Sequence, residues 1–161
     1  MGSDVGRFAL RRAGVADAAV VVGFVRLMVA EMEGMGGHAA ARGEESWSKI
    51  ERAAPERLES DDRIYLLAEL DSVPVGFGEA SSVSVIPVFE PKVILHINSL
   101  YITPEHRAKG FGKRIFRGLL NWGRSQGCAE IELNVLVGNP ARKLYSDLGF
   151  SDFELKMVRK L

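Results

Sequence analysis

The stretch SLYITPEHRAKGFGKRIFRGLL, residues 99–120, decides the fold. An apolar strand pattern runs into a proline turn, and a helix with an apolar face begins near Gly110. The first turn of a helix leaves N–H groups without intrahelical partners, and the helix dipole adds positive potential there. Gly110 and Gly112 let an anion approach these amides without a Cβ in the way. The basic side chains around the two glycines are Arg107, Lys109, Lys113 and Arg114. The pattern favours a phosphate site; the alternative is a loop ending beside a solvated basic surface.

This glycine pattern differs from the two common nucleotide-binding motifs. The spacing G-x-x-x-x-G-K-[ST] of a nucleoside triphosphate loop is absent. The dinucleotide pattern G-x-G-x-x-G is matched by Gly110 and Gly112 alone, and the strand before it is the fourth of the chain rather than the first. The sequence therefore predicts a different phosphate ligand.

The composition indicates a single globular domain over residues 1–161, because 47% of the residues are hydrophobic and 26% are charged. Lysine plus arginine (21) equals aspartate plus glutamate (21), so we expect neither nucleic acid nor a membrane as partner. A single cysteine, Cys128, and the lack of a signal peptide or a membrane-spanning apolar run predict a cytoplasmic protein. The histidines, His38, His96 and His106, have no metal-ligand spacing with Cys128, so we expect no metal.

Apolar periodicity predicts the element order β α α β β β α β α β, which is typical of the α/β (α+β) class. Such an order gives a mixed sheet with helices on both faces. The predicted strands are 7–13, 63–70, 73–86, 92–102, 129–137 and 153–161, and the predicted helices are 17–32, 44–60, 110–126 and 140–148.

Turn and capping residues define several of these boundaries. The pair Asp71–Ser72 predicts the turn of a β-hairpin, and Pro55 is expected to break the second helix. In the last helix, Asn139 suits the N-cap, Pro140 the first helical position and Gly149 the residue after the helix.

Two motifs make the chain resemble the GNAT superfamily of N-acetyltransferases. The first is the acyl-CoA motif [R/Q]-x-x-G-x-[G/A] after a strand ending in L-x-V-x-P, matched by Leu100, Ile102, Pro104, Arg107, Gly110 and Gly112. The second motif is an asparagine and a tyrosine near the middle of the next short helix, followed by Gly-Phe. It is matched by Asn139, Tyr145, Gly149 and Phe150. The resemblance covers residues 92–161 by motif and 7–90 by element order alone. It implies a GNAT fold with a mixed sheet of six to seven strands and a splay between strands 4 and 5.

The resemblance also implies where acetyl-CoA binds. The amides from Arg107 to Gly112 would hold the pyrophosphate, and the pantetheine arm would hydrogen-bond the main chain of Leu100 and Ile102. A backbone N–H near Leu100 would hold the tetrahedral oxygen. The cofactor-binding residues expected on this basis are Leu100, Tyr101, Ile102, Arg107, Ala108, Lys109, Gly110, Phe111, Gly112, Lys113, Asn139, Arg142 and Tyr145.

The catalytic residues are less clearly marked. Tyr145 is the candidate general acid for the departing thiolate; its alternative role is a core aromatic. Many family members carry a glutamate just before the L-x-V step, where this chain has Asn98 and Ser99. The proton acceptor is therefore His96, Glu79 or a water chain, with Asn98 a further candidate at the site. The alternative interpretations are a hydrogen-bonded histidine in a half-buried strand for His96 and an exposed strand residue for Glu79.

Two functions follow from the resemblance. The first is an N-acetyltransferase that uses acetyl-CoA and a primary amine, with a small-molecule acceptor slightly preferred over a protein amine. The second is a non-catalytic acyl-CoA-binding sensor or scaffold, supported by the missing glutamate.

Glu31, Glu33 and His38 flank a glycine-rich joint that in this family commonly walls the acceptor pocket. Carboxylates there would suit a cationic amine; the alternative is a solvated helix end. A homodimer is left open.

Overall fold

The computed structural model describes residues 6–38, 43–85, 88 and 93–159. The strands are β1 (Phe8–Arg12), β2 (Arg63–Leu70), β3 (Val73–Ser84), β4 (Val93–Ile102) and β5 (Glu130–Leu133). The helices are α1 (Ala18–Gly34), α2 (Glu44–Glu59), α3 (Phe111–Ser125) and α4 (Ala141–Asp147), with short 3₁₀ turns at Val15–Asp17 and Pro104–His106. The sheet has the order β1-β2-β3-β4-β5, antiparallel through β4 and parallel between β4 and β5.

Helices cover both faces of this sheet, as the periodicity predicts. On one face, α3 presents Ile115 and Leu119, both fully buried, to the apolar side of β2, β3 and β4. Gly78 on β3 allows this close packing, because a Cβ at that position would overlap both side chains. On the other face, Phe24 of α1 stacks on Phe77 of β3, with ring centroids 5.9 Å apart. The mixed α/β architecture is thus confirmed.

The β2–β3 hairpin turns where the sequence predicts it. Asp71 (φ 51°) and Ser72 (φ 67°) both adopt the left-handed conformation that a two-residue hairpin turn of the favoured twist requires. The predicted break at Pro55 is wrong, because α2 runs through it from Glu44 to Glu59. Trp47, Ala54 and Leu58 are buried on both sides of the proline, so packing holds the helix together across the lost hydrogen bond.

The prediction of six to seven strands is wrong, since the residues that the structure describes form a sheet of five. β5 ends at Leu133 rather than residue 137, and residues 153–159 form no strand. Phe153 and Met157 of that segment are 97% and 85% exposed. Alternating apolar residues define a face for a strand, but a ladder needs a hydrogen-bonded neighbour, and none of the described residues supplies one there.

None of the helices within the described ranges is long and apolar enough to cross a membrane.

Candidate active site

Beyond the last pair of the β4–β5 ladder, no described strand pairs with β4 on its β5 side, and we call this open edge the gap. The parallel ladder joins Ile94–Ile97 to Glu130–Leu133 and stops there, whereas β4 continues to Ile102. On its other side, β4 pairs Ser99 with Glu79 and Ile97 with Ala80, so Asn98 is an extra, bulged residue. The bulge therefore lies at the closed end of the gap.

The main chain of β4 presents free polar groups to this gap. The amide of Thr103 donates to Val75 O over 3.0 Å, so the backbone groups of Thr103 and Tyr101 face β3. Because these groups alternate along a strand, those of Leu100 and Ile102 face the gap. Ile102 O already accepts a hydrogen bond from Arg107 Nε at 2.8 Å. The main-chain groups of Leu100 therefore have no hydrogen-bonded neighbour among the described strands.

The loop before α3 forms a row of amides at the open end of the gap. Ala108 (φ 60°) and Gly110 (φ 81°) are both left-handed, which turns successive N–H groups toward one concave side. The first helical bond runs from Arg114 N to Gly110 O, so the amides of Phe111, Gly112 and Lys113 precede the helical ladder. This row suits an anion. The left-handed conformation of Ala108 costs about 1 kcal/mol, because its Cβ lies close to a backbone carbonyl oxygen there.

The basic side chains predicted to bind the phosphates divide into two groups. Arg107 turns away toward α1, and the Arg114 guanidinium lies 4.5 Å from the centroid of the Phe8 ring. Lys109 and Lys113 are exposed and have no ion-pair partner among the residues that the structure describes. Of these four side chains, the two lysines therefore have neither an ion-pair nor a cation–π partner among the described residues.

Glu31 anchors this loop, a role that the sequence does not predict. Its carboxylate accepts two hydrogen bonds from Arg107 Nη2, at 2.7 and 2.9 Å, and one from the Tyr101 hydroxyl at 3.1 Å. Glu31 and Tyr101 border an open groove of about 510 Å³. Burial, with the charge of Glu31 adding to it, raises the pKa of Tyr101 above its usual value. Glu31 is thus engaged by Arg107, rather than free for a cationic substrate.

Tyr145 lies on α4 beside the start of α3. Its ring contacts Phe150, which in turn packs edge-on against Phe116 of α3. The hydroxyl has no hydrogen-bond partner among the described residues. Every buried polar side-chain atom of these residues has one, so the Tyr145 hydroxyl is exposed at the surface. Burial of the ring raises the pKa of Tyr145, which keeps the hydroxyl protonated as a donor.

Residues around Tyr145 fix the short helix. The Asn139 side chain accepts a hydrogen bond from Ala141 N at 2.9 Å, and Gly149 adopts φ 92° after the helix, as the sequence predicts for the glycine. The helix begins at Ala141 with Pro140 in the N-cap position, one residue later than predicted. Arg142, expected at the cofactor, instead pairs with the exposed Asp152 at 3.0 Å.

Glu79 is held at the centre of a buried polar cluster. It is 6% exposed, which contradicts its alternative interpretation as an exposed strand residue. Glu79 Oε1 accepts from Arg57, Arg63 and Tyr65 at 2.9, 3.0 and 2.8 Å, and Oε2 accepts from Ser99 at 3.4 Å. These bonds tie β3 to α2, β2 and β4 beside the bulge.

His96 and Asn98 lie near the closed end of the gap. His96 Nδ1 is 2.9 Å from Glu132 Oε1, a contact across the β4–β5 ladder. Asn98 Nδ2 donates to Ser81 Oγ at 2.9 Å and, more weakly, to His96 O at 3.4 Å. No cluster of three metal-ligating side chains occurs in the described part of the chain.

Comparison with known proteins agrees with this geometry. The acetyltransferase (GNAT) family model matches residues 32–150. An aminoglycoside N(6')-acetyltransferase type 1 of Salmonella typhimurium is 25% identical over 101 residues, covering 62% of this chain and 70% of the relative. The solved structure of aminoglycoside N-acetyltransferase AAC(6')-Iy with CoA superposes with a TM-score of 0.78 at 18% identity, over 100% of this chain and 99% of the other. A GCN5-related N-acetyltransferase from Ralstonia eutropha JMP134 gives 0.79 at 18% identity, over 96% and 99%.

The family match covers most of the chain. The protein belongs to the acetyltransferase (GNAT) family, and the family and enzyme class that the two motifs indicate are confirmed.

Proposed function

We propose that this GNAT acetyltransferase transfers the acetyl group of acetyl-CoA to a primary amine of a small cationic molecule. The observation that carries the proposal is the gap along Leu100 and Ile102, with the amide row of Ala108–Lys113 at its open end. The similarity to an aminoglycoside acetyltransferase of Salmonella typhimurium favours an aminoglycoside-like acceptor over a protein amine.

Acetyl-CoA would bind by its two ends. The amide row and the lysines Lys109 and Lys113 would hold the pyrophosphate, because the helix start and these cations attract anions. The pantetheine arm would then add to the free edge of β4 like a strand. The arm would run along β4 from Ile102 past Leu100 toward Asn98, which places the thioester between the main-chain N–H of Leu100 and the closed end of the gap.

The reaction would be a direct attack on the thioester. A C–N bond forms as the amine attacks, the main-chain N–H near Leu100 stabilises the oxyanion, and the C–S bond breaks. The ammonium loses its proton to the base, and Tyr145 hydrogen-bonds or protonates the departing thiolate. Of the two side chains considered as base, His96 is favoured, because four hydrogen bonds already occupy the Glu79 carboxylate.

The proposal is tested by following thiol release from acetyl-CoA with a panel of amines: an aminoglycoside, a linear polyamine, free lysine and a peptide with a free N-terminus. We expect turnover with the aminoglycoside or polyamine to exceed turnover with the peptide. Acetyl-CoA binding without turnover on any amine would support the sensor alternative instead. Faster turnover on the peptide would overturn the choice of acceptor.

Replacing Gly110 by aspartate is expected to weaken acetyl-CoA binding by well over tenfold, about 1.4 kcal/mol. A carboxylate beside the amide row would repel the pyrophosphate, whereas the protein itself has room, since nothing lies within 4 Å of a Cβ there. Gly110→Asn is the matched control, because asparagine has the same size, tolerates the left-handed φ and carries no charge. Calorimetric titration should show a smaller loss for Gly110→Asn. Equal affinity of folded Gly110→Asp and the unaltered protein would refute the placement of the pyrophosphate.

A further inference from the structure

We infer that Glu132 is a positioning residue: its carboxylate holds Nδ1 of His96 so that Nε2 is the atom that accepts the amine proton. The inference rests on the proposed function, and it adds to that function a residue on β5 that no sequence motif marks. Sequence spacing cannot find the pair, because its members are 36 positions apart and meet only through the register of two strands.

The contact is built into the sheet. His96 and Glu132 are directly paired in the parallel ladder, and their side chains meet at 2.9 Å. The next pair, Ile97 and Leu133, is the last one before the strands separate. The imidazole and the carboxylate therefore stand at the closed end of the gap, one residue from its apex. The proposed binding mode brings the thioester to the same end.

The orientation of His96 follows from its neighbours. Leu95 and Ile97 belong to the core that α3 covers, so His96 projects from the opposite face of the sheet. Its side chain is 21% exposed, which shields the ring and still leaves access for a substrate amine. His96 is thus on the α3-free face, where an acceptor can approach.

The chemistry of the pair determines which ring nitrogen works as the base. An ionised carboxylate accepts hydrogen bonds and donates none, so Glu132 selects the tautomer with the proton on Nδ1. The lone pair of Nε2 is then free, and the carboxylate stabilises the imidazolium that forms on proton transfer.

Other charges on this face do not replace Glu132. Glu130 precedes it on β5 and is paired in register with Ile94 rather than His96. Glu79 on β3 is offset by Arg57 and Arg63. The residue across from His96 on β3 is Ser81, which is neutral, and α3 packs on the opposite face. Glu130 is therefore a matched control: a glutamate on the same strand face without the contact.

The test combines kinetics with nuclear magnetic resonance of the ring nitrogens. The pH profile of kcat/KM is expected to show an acid limb that disappears in His96→Ala. Glu132→Gln is expected to lower kcat about tenfold or more, with KM for acetyl-CoA unchanged, and to move the acid limb. Glu132→Asp should restore part of kcat. Glu130→Gln should leave kcat and the acid limb unchanged.

The ring nitrogens provide a readout that needs no turnover. In the unaltered protein we expect the tautomer protonated on Nδ1, and in Glu132→Gln a mixture of tautomers. If His96→Ala loses the acid limb while Glu132→Gln keeps kcat, the limb and the tautomer, the inference about Glu132 is overturned and the proposed function stands. If the protein binds acetyl-CoA but turns over no amine, the proposed function fails, and the inferred role of Glu132 in catalysis fails with it. A predominant Nε2-protonated tautomer in the free protein would overturn the positioning role on its own.

Discussion

Replacing Glu79 by alanine is expected to lower the free energy of unfolding by about 3 kcal/mol, near the lower end of the range for breaking a buried ion pair. The change removes the acceptor for Arg63 and Tyr65 and leaves a cavity in a site that is 6% exposed. The loss should lie at the lower end of that range because the side chain of Arg57, the third donor to Glu79 Oε1, is 51% exposed and can hydrogen-bond water instead. Urea unfolding followed by circular dichroism measures the loss.

Glu51→Ala is the control for this experiment. Glu51 also accepts a charged hydrogen bond, from Arg26 at 2.7 Å, but its side chain is 50% exposed. Surface pairs of this kind contribute between 0 and about 1 kcal/mol. A loss for Glu79→Ala as small as that for Glu51→Ala would show that the cluster does not hold the strands together. Glu79 would then return as a candidate base.

Tyr145→Phe is expected to lower kcat on the order of 10²-fold, within the range for loss of a general acid. The phenylalanine ring can keep the contact with Phe150, and the hydroxyl has no partner among the described residues, so the melting temperature should stay within experimental error. Because the hydroxyl would act on the thiolate that forms in the transition state, KM for acetyl-CoA should change little. Steady-state kinetics with the best amine from the panel measures both quantities.

Tyr101→Phe serves as the comparison for Tyr145→Phe. It also removes one tyrosine hydroxyl near the cofactor loop, but that hydroxyl donates to Glu31 and is not placed at the thioester. We expect Tyr101→Phe to affect KM for acetyl-CoA more than kcat. A Tyr145→Phe enzyme with kcat within threefold of the unaltered protein would make Tyr145 a packing residue only.

Local sequence signals predict the start of α3 and the ends of α4 well. Gly110 adopts a positive φ directly before α3, the Asn139 side chain accepts a hydrogen bond from the first residue of α4, and Gly149 follows that helix with φ 92°. Each of these features depends on a few neighbouring residues and their backbone preferences. The family motifs coincide with these same positions, so the glycine loop before α3 and the helix that carries Tyr145 are found where the sequence places them.

The partners of charged side chains could not be predicted in this way. Arg107 was expected at the phosphates but binds Glu31, which is 76 positions away. Glu79 was considered as an exposed strand residue, and the tertiary fold buries it beneath two arginines. A charge takes its partner from whatever the packing brings near, and the sequence pattern carries no record of that partner.

By itself, then, the sequence determined the position of most helices, the hairpin, the glycine loop before α3 and the family, because period, turn chemistry and short motifs act over a few residues. Only the tertiary structure decided that α2 continues through Pro55, that the described residues form a sheet of five strands, and that His96 meets Glu132. These outcomes depend on register and on burial between distant segments. A strand needs a neighbour's hydrogen bonds, and a helix can be held across a proline by the core on which it packs.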